Sequence, residues 1–309
     1  MVMSFFAVLT LGLAIGPILW LARSRIVGSR HLLAAGAAVA TMSGSALLVG
    51  PWVLLSVYLR PVIFVALGAV LLVATYRTRH GATDRRQPGV GVRCLAWQYG
   101  TAFVFGTVLA DAVAGRLAPA STVDLGFPLE AGQYAVLQGG NSLLLNPFHH
   151  WFASDKHAVD IVKLNAFGNR ARSLAPVSLT DYSSFNVAVH SPCTGTVEGL
   201  EDDLPDHKPG DMDWEHPAGN HVLLRCGTVR ILLAHFRHGS LVVSSHEKIL
   251  AGQLIGRVGN SGGTREPHLH IGAMATEAGE SFPAAKAVPV TLGGRYLRIN
   301  DVIRSASLP

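Results

Sequence analysis

Apolar positions follow two different rhythms along this chain, and the change between them divides it. No charged residue occurs from Met1 to Leu21 or from Leu32 to Leu59, and after Arg60 and Pro61 an apolar run resumes from Val62 to Tyr76. A basic patch of Arg77, Arg79, Arg85, Arg86 and Arg93 follows, and then a run from Leu95 to Gly115 whose only charge is Asp111. A helix needs about 17 to 25 apolar residues to cross the hydrocarbon core. The pattern therefore predicts a transmembrane region over residues 1–118, with about four helices at 3–22, 32–50, 61–77 and 95–115. Pro51 to Arg60 reads as an interfacial turn anchored by Trp52 and Tyr58. A turn placed at Gly50-Pro51 alone would leave Arg60 near mid-membrane, at about 2.5 to 3.5 kcal/mol. The first run reads as a retained anchor, because no positive charge precedes it and no clear small-residue cleavage site follows.

From about residue 119 the rhythm shortens. Runs such as Val187-Ala-Val, Gly195-Thr-Val, His221-Val-Leu-Leu, Val229-Arg-Ile-Leu-Leu-Ala and Leu254-Ile-Gly-Arg-Val are separated by Gly, Pro, Asn and Asp. These runs are β-branched and closely spaced, with no long amphipathic helix between them, so residues 119–309 are expected to form one mainly β domain around an antiparallel sheet.

Composition supports the division. A mean hydropathy of +0.35 with 15% charged residues over 309 positions excludes an ordinary soluble two-domain protein, and the lipid bilayer is the first expected partner. The loop after the first helix holds Arg23, Arg25 and Arg30, and that after the third holds the five arginines named above. The turn between the second and third has only Arg60. Positive loops stay cytoplasmic, so four crossings put the β domain outside the cytoplasmic membrane, whereas three would leave it inside. The net charge of +5 lies largely in those inner loops, so no nucleic-acid partner is expected.

Candidate chemistry gathers around Gly259-Asn-Ser-Gly-Gly-Thr-Arg-Glu-Pro-His-Leu-His270-Ile-Gly272. Here a glycine-rich turn leads into a strand on which His268 and His270, two residues apart, face the same way. His235 ends the apolar run Leu232-Leu-Ala-His, and Asp160 lies between Val159 and Ile161, where a carboxylate must be paired, hydrogen-bonded or metal-bound. Two or three His or carboxylate ligands with an open position are what hydrolytic zinc requires.

These residues carry a resemblance. Ala158-Val-Asp160-Ile, Ser191-Pro-Cys-Thr-Gly-Thr-Val197, Gly219-Asn-His-Val222 and Leu233-Ala-His235-Phe come in order. Ala251 to Gly262 and Pro267-His-Leu-His270 complete the series. From about Phe127 to Ile271 the chain resembles the lysostaphin-type, or LytM-type, M23 family of zinc metallopeptidases, which cut peptide bonds in peptidoglycan stems or cross-bridges. The resemblance implies an antiparallel sheet core of that type, a bound Zn2+, and a peptidoglycan or peptide substrate. It makes Asp160 and His270 zinc ligands, and His235 and His268 the catalytic pair that activates water and stabilises the oxyanion.

One position departs from the family. Its usual pattern has histidine four residues before the aspartate; here Lys156 stands there, and His157 comes three before. On a regular strand His157 and Asp160 would face opposite sides, so His157 is a third ligand only through a bend or bulge, and His149 or His150 in Asn146-Pro-Phe-His-His-Trp151 is the alternative. The irregular spacing leaves open a noncatalytic member that regulates other wall hydrolases through envelope protein partners. A metalloprotease with a protein or short-peptide substrate is the third class.

Three further expectations follow. If Val197 pairs with Val222, Cys193 falls opposite Cys226, and an oxidising compartment would permit a disulfide, while Cys94 is expected free. Gln138-Gly-Gly-Asn141 suits a turn at the cleft edge or an ordinary surface loop. The acidic stretch with Glu201, Asp202, Asp203, Asp206, Asp211, Asp213 and Glu215 reads as a solvated hairpin loop.

Overall fold

A computed structural model describes residues 2–80, 90–275 and 285–306. Arg85 and Arg86 of the basic patch lie outside the described residues. The chain divides into two compact units, Met1–Ala114 and Gly115–Pro309.

The first unit is helical: α1 (Val2–Arg23), α2 (Gly28–Val49), α3 (Leu59–His80) and α4 (Val92–Ala114). Three helices, over Ser4–Arg23, Gly28–Val49 and Leu59–His80, are long and apolar enough to cross a membrane. The fourth matches them in length but carries Arg93, Gln98 and Asp111. Two of its polar contacts are met by α2: Gln98 lies 3.2 Å from His31 Nε2, and the Ser45 hydroxyl donates to the Phe105 carbonyl at 3.0 Å. Trp52, expected as an interfacial anchor, is instead fully buried, and its indole N–H donates to the Ala46 carbonyl at 3.1 Å. Tyr58 stays exposed. Arg60 Nε donates to the Leu47 carbonyl at 2.9 Å, placing a cation where the last carbonyls of α2 are left without helical partners.

The second unit is mainly β. Its strands are β1 (Val123–Leu125), β2 (Gly132–Gln138), β3 (Val159–Lys163), β4 (Ala188–His190), β5 (Gly195–Glu201) and β6 (Asn220–Cys226). The chain continues through β7 (Val229–Phe236), β8 (Lys248–Ile249), β9 (Leu254–Arg257), β10 (Leu269–Ala275), β11 (Val290–Leu292) and β12 (Val302–Ser305). Eight of them form one sheet in the order β12-β2-β3-β10-β7-β6-β5-β8, antiparallel throughout. β4 and β9 form an antiparallel ribbon, and β1 and β11 a parallel one.

Period-two alternation explains which way each strand faces. Val159 and Ile161 of β3, Leu269, Ile271 and Ala273 of β10, and Ile231 and Leu233 of β7 enter one core with Val222, Leu224 and Ile255. The opposite face of the same central strands holds Leu232, Ala234 and Met274 in a smaller cluster. Because β3, β7 and β10 are covered on both faces, a polar side chain on the second face is deeply buried, and it must find partners there.

The β5–β6 register differs from the expectation. Val197 pairs with Leu224, not Val222, and a bulge intervenes before Gly199 pairs with Leu223. Cys193 and Cys226 are nevertheless disulfide-bonded, with a Cα separation of 6.1 Å. Gly195 makes the diagonal reach feasible. A Cβ there would overlap the Arg225 carbonyl and stand 3.5 Å from the Cys226 sulfur. Cys94 is free and exposed. Thiol titration of the denatured, unreduced chain is therefore expected to find one reactive cysteine of the three, and all three after reduction. Three thiols before reduction would remove the bridge.

Candidate metal centre

The site lies on the second face of the sheet, where β3, β10 and β7 run side by side. Asp160 is the cross-strand partner of His270, and His270 in turn is the partner of Ala234. Period two alone would send His235, one residue further along β7, into the main core beside Leu233. It does not, because β7 carries an extra residue here: Phe236 pairs with Asn220 and Ala234 with His221. His235 is that extra residue, with φ at +66°, a left-handed conformation that histidine adopts more readily than most residues. The bulge returns Phe236 to the core and brings the His235 ring to 4.8 Å from that of His268 and 5.8 Å from that of His270.

A fourth histidine arrives from the loop between β2 and β3. The structure brings His149 there, not His157. The ligand atoms of His149, Asp160 and His270 all lie within 4.8 Å of one another, and all three residues are buried. His157 is half-buried beside Lys156 and His150 and belongs to no such group among the described residues. Asn146 explains the choice. Fully buried, it donates its side-chain amide to the carbonyls of Ala158 (3.0 Å) and Lys156 (3.3 Å), stapling the loop to the entry of β3. Its own oxygen then accepts from His149 Nδ1 at 2.9 Å.

Each histidine is held in the same way, by one nitrogen, with the other left facing inward. His149 Nδ1 donates to Asn146, His235 Nδ1 to the Ser261 carbonyl at 2.9 Å, and His268 Nδ1 to the Glu266 carbonyl at 2.8 Å. His270 is reversed: Nε2 faces Asp155 Oδ1 at 3.1 Å. The inward nitrogens gather on one oxygen. Asp160 Oδ1 lies 3.0 Å from His270 Nδ1 and 3.4 Å from both His149 Nε2 and His268 Nε2. Two imidazoles and a carboxylate with their lone pairs inward form a donor set that fits zinc, and fixing the outer nitrogen is how metal-bound histidines are kept in one tautomer.

Electrostatics give the site a demand for positive charge. Burial works against the ionised form of Asp160, but His149, His268 and His270 outweigh it and hold the carboxyl well below its usual range. Burial also opposes a charge on His270, yet Asp155 and Asp160 raise its pKa to about 10. His268 is raised by Asp160 against the same opposition. His235, by contrast, is driven well below the ordinary imidazole range, by burial first and by His268 and His270 after it. Without a metal the two carboxylates keep a proton on a neighbouring imidazole; a divalent cation answers the same demand.

The surrounding loops are locked to this face. Glu266 is buried in a paired contact with Arg170, whose Nε lies 2.7 and 2.9 Å from its carboxylate oxygens, just before His268. The acidic loop has a structural part: Asp206 accepts the amides of Asn260 (2.6 Å) and His238 (3.2 Å), and Asp202 accepts those of Ser240 and Leu241. Gln138 pairs in register with Asp160, so the Gln138–Asn141 stretch borders the site. Sequence reasoning missed Asn146 and Asp155. The Asn-Pro dipeptide three residues before His149 was the available signal for the first; for the second there was none.

Residues 182–281 match the model of Peptidase family M23, a span that includes His235, His268 and His270. That span carries the match to the M23 peptidase family. Asp160 and His149 fall before the matched span, in the half of the site where the spacing is irregular. No curated protein matches the chain. Solved structures that resemble it include a zinc containing peptidase from Vibrio cholerae (16% identity, TM-score 0.29), covering 59% of this chain and 40% of that one. A putative peptidase M23 from Pseudomonas aeruginosa (17%, TM-score 0.28) covers 54% of each, and the antimicrobial peptidase lysostaphin from Staphylococcus simulans (20%, TM-score 0.21) covers 34% and 41%. The chain thus spans less than two thirds of each of these structures.

For the M23 domain, zinc binding should separate the two candidate histidines. His149→Ala is expected to abolish stoichiometric zinc binding by the purified full chain, and His157→Ala to leave it intact. The reverse pattern would restore the shorter His157–Asp160 spacing.

Proposed function

We propose that the chain is a membrane-anchored zinc metalloendopeptidase that hydrolyses peptide bonds in peptidoglycan stems or cross-links, outside the cytoplasmic membrane. The observation that carries the reading is the convergence of His149, His268 and His270 nitrogens on Asp160 Oδ1, with His235 alongside. His149, Asp160 and His270 would hold the metal, which when bound supplies a Lewis acid for the scissile carbonyl and lowers the pKa of water.

The remaining chemistry belongs to His235 and His268. His235 is neutral, with Nδ1 fixed on the Ser261 carbonyl, so Nε2 is a free base able to take a proton from water. His268, raised by Asp160 and oriented by the Glu266 carbonyl, is the group that would donate from Nε2 to the developing oxyanion. The placement of His235 and His268 beside the ligand set supports the enzyme over a noncatalytic regulator.

The outward location rests on α4 as a fourth crossing. Its contacts with His31 and Ser45 lessen the cost of burying its polar groups, and Asp111 lies near its C-terminal end rather than mid-helix. The Cys193–Cys226 bridge suits an oxidising compartment.

Two experiments test this reading. Detergent-solubilised, zinc-loaded full chain is expected to release peptides from purified peptidoglycan. His268→Ala should cut that rate by about 10²-fold or more while keeping the metal, and His270→Ala should lose both. A zinc-loaded wild type that releases nothing would overturn the enzyme. A topology reporter fused after Ala120 should be active outside the membrane, and a cytoplasmic signal would remove α4 from the spans.

A further inference from the structure

His270 is the odd member of the four histidines. His149, His235 and His268 are each held through Nδ1 by a neutral oxygen and present Nε2. His270 presents Nδ1, and its outer nitrogen meets a carboxylate, Asp155. We infer that Asp155 is a positioning residue for the metal site, fixing the tautomer of His270 so that the Nδ1 lone pair faces Asp160 and His149. The inference rests on the metal-site reading above.

The need for such a device follows from the geometry. His270 Nδ1 lies 3.0 Å from Asp160 Oδ1, close enough for a neutral imidazole to place its proton between them. That tautomer would occupy the lone pair a metal requires. Asp155 offers the competing arrangement, in which Nε2 donates to Oδ1 at 3.1 Å and Nδ1 stays bare. The two nitrogens lie on opposite edges of the ring, so the oxygen that holds Nε2 is on the far side from the group that Nδ1 joins. Asp155 Oδ2 comes no closer to His149 Nε2 than 3.9 Å, beyond a hydrogen bond.

The fold makes room for this carboxylate deliberately. Asp155 sits in a turn fixed by its own backbone: its N–H donates to the Phe152 carbonyl at 3.1 Å, and its carbonyl accepts from Ala158 at 2.8 Å. Opposite it, β10 places Gly272 two residues after His270, on the same face. A Cβ at Gly272 would stand 3.0 Å from Asp155 Oδ1 and 3.6 Å from His270 Nε2. The central strand is notched where the carboxylate enters. Any side chain there presses on the Asp155–His270 contact, tighter than ordinary packing allows.

The test is zinc affinity, measured on the full chain in detergent by competition with a chromophoric chelator, together with the visible spectrum of the cobalt-substituted protein. Asp155→Ala is expected to weaken zinc about 10- to 100-fold, as loss of an outer partner of a metal-bound histidine does. Asp155→Asn, whose side-chain carbonyl still accepts from Nε2, should recover part of the loss, whereas Asp155→Leu, of similar size but with no acceptor, should not, a difference that a purely space-filling role does not produce. Gly272→Ala keeps the carboxylate but displaces it, and should weaken zinc in the same direction. In all of these the cobalt bands should keep the intensity of a four-coordinate site.

Affinity for Asp155→Ala within about twofold of wild type would overturn the inference. Complete loss of metal, equal to that of Asp160→Ala, would overturn it too by making Asp155 a ligand. A wild type that binds no zinc would bring down the metal-site reading and this inference with it, whereas a zinc-binding wild type with an unchanged Asp155→Ala removes Asp155 alone.

Discussion

A carboxylate buried under four imidazoles is the constraint on which the rest of the β unit depends. Asp160 is 5% exposed, and an isolated ionised carboxylate at that depth would cost many kcal/mol. The sheet meets the cost by placing three imidazole nitrogens within 3.4 Å of one oxygen. Strand order follows from that requirement. β3 must neighbour β10, β10 must neighbour β7, and β7 must bulge at the one residue whose regular alternation would carry it into the core.

Much of this was legible in the chain, for physical reasons. A period of two puts His268 and His270 on one face and Val159 and Ile161 on the other side from Asp160, and the structure obeys it. The charge-free runs of the first third are helices over nearly the expected residues. Other parts were not legible. The place of His149 depends on Asn146 bonding to carbonyls ten and twelve residues away, a loop closure that no local pattern encodes. Trp52 turned inward because a backbone acceptor at Ala46 lay within reach of its indole N–H. The Cys193–Cys226 pair was anticipated from a wrong register; a bulge and the missing side chain of Gly195 brought the sulfurs together all the same.

His235 carries the clearest backbone strain at the site. A left-handed histidine at the end of a central strand gives up backbone comfort of order 1 to 3 kcal/mol, and the surrounding hydrogen bonds hold it there. Its amide donates to the Ala218 carbonyl and its own carbonyl accepts from Gly259, so the bulge is clamped from both sides by the loops that frame the site. His235, the glycine-rich turn and the acidic loop are thereby one hydrogen-bonded unit rather than separate motifs.

The metal site is tested most directly by anomalous diffraction at the zinc edge from crystals of the zinc-loaded full chain. A single strong peak is expected in the β unit, about 2.0 to 2.2 Å from His149 Nε2, an Asp160 oxygen and His270 Nδ1. A peak bound through His157, or no peak among these groups in fully loaded protein, would contradict it.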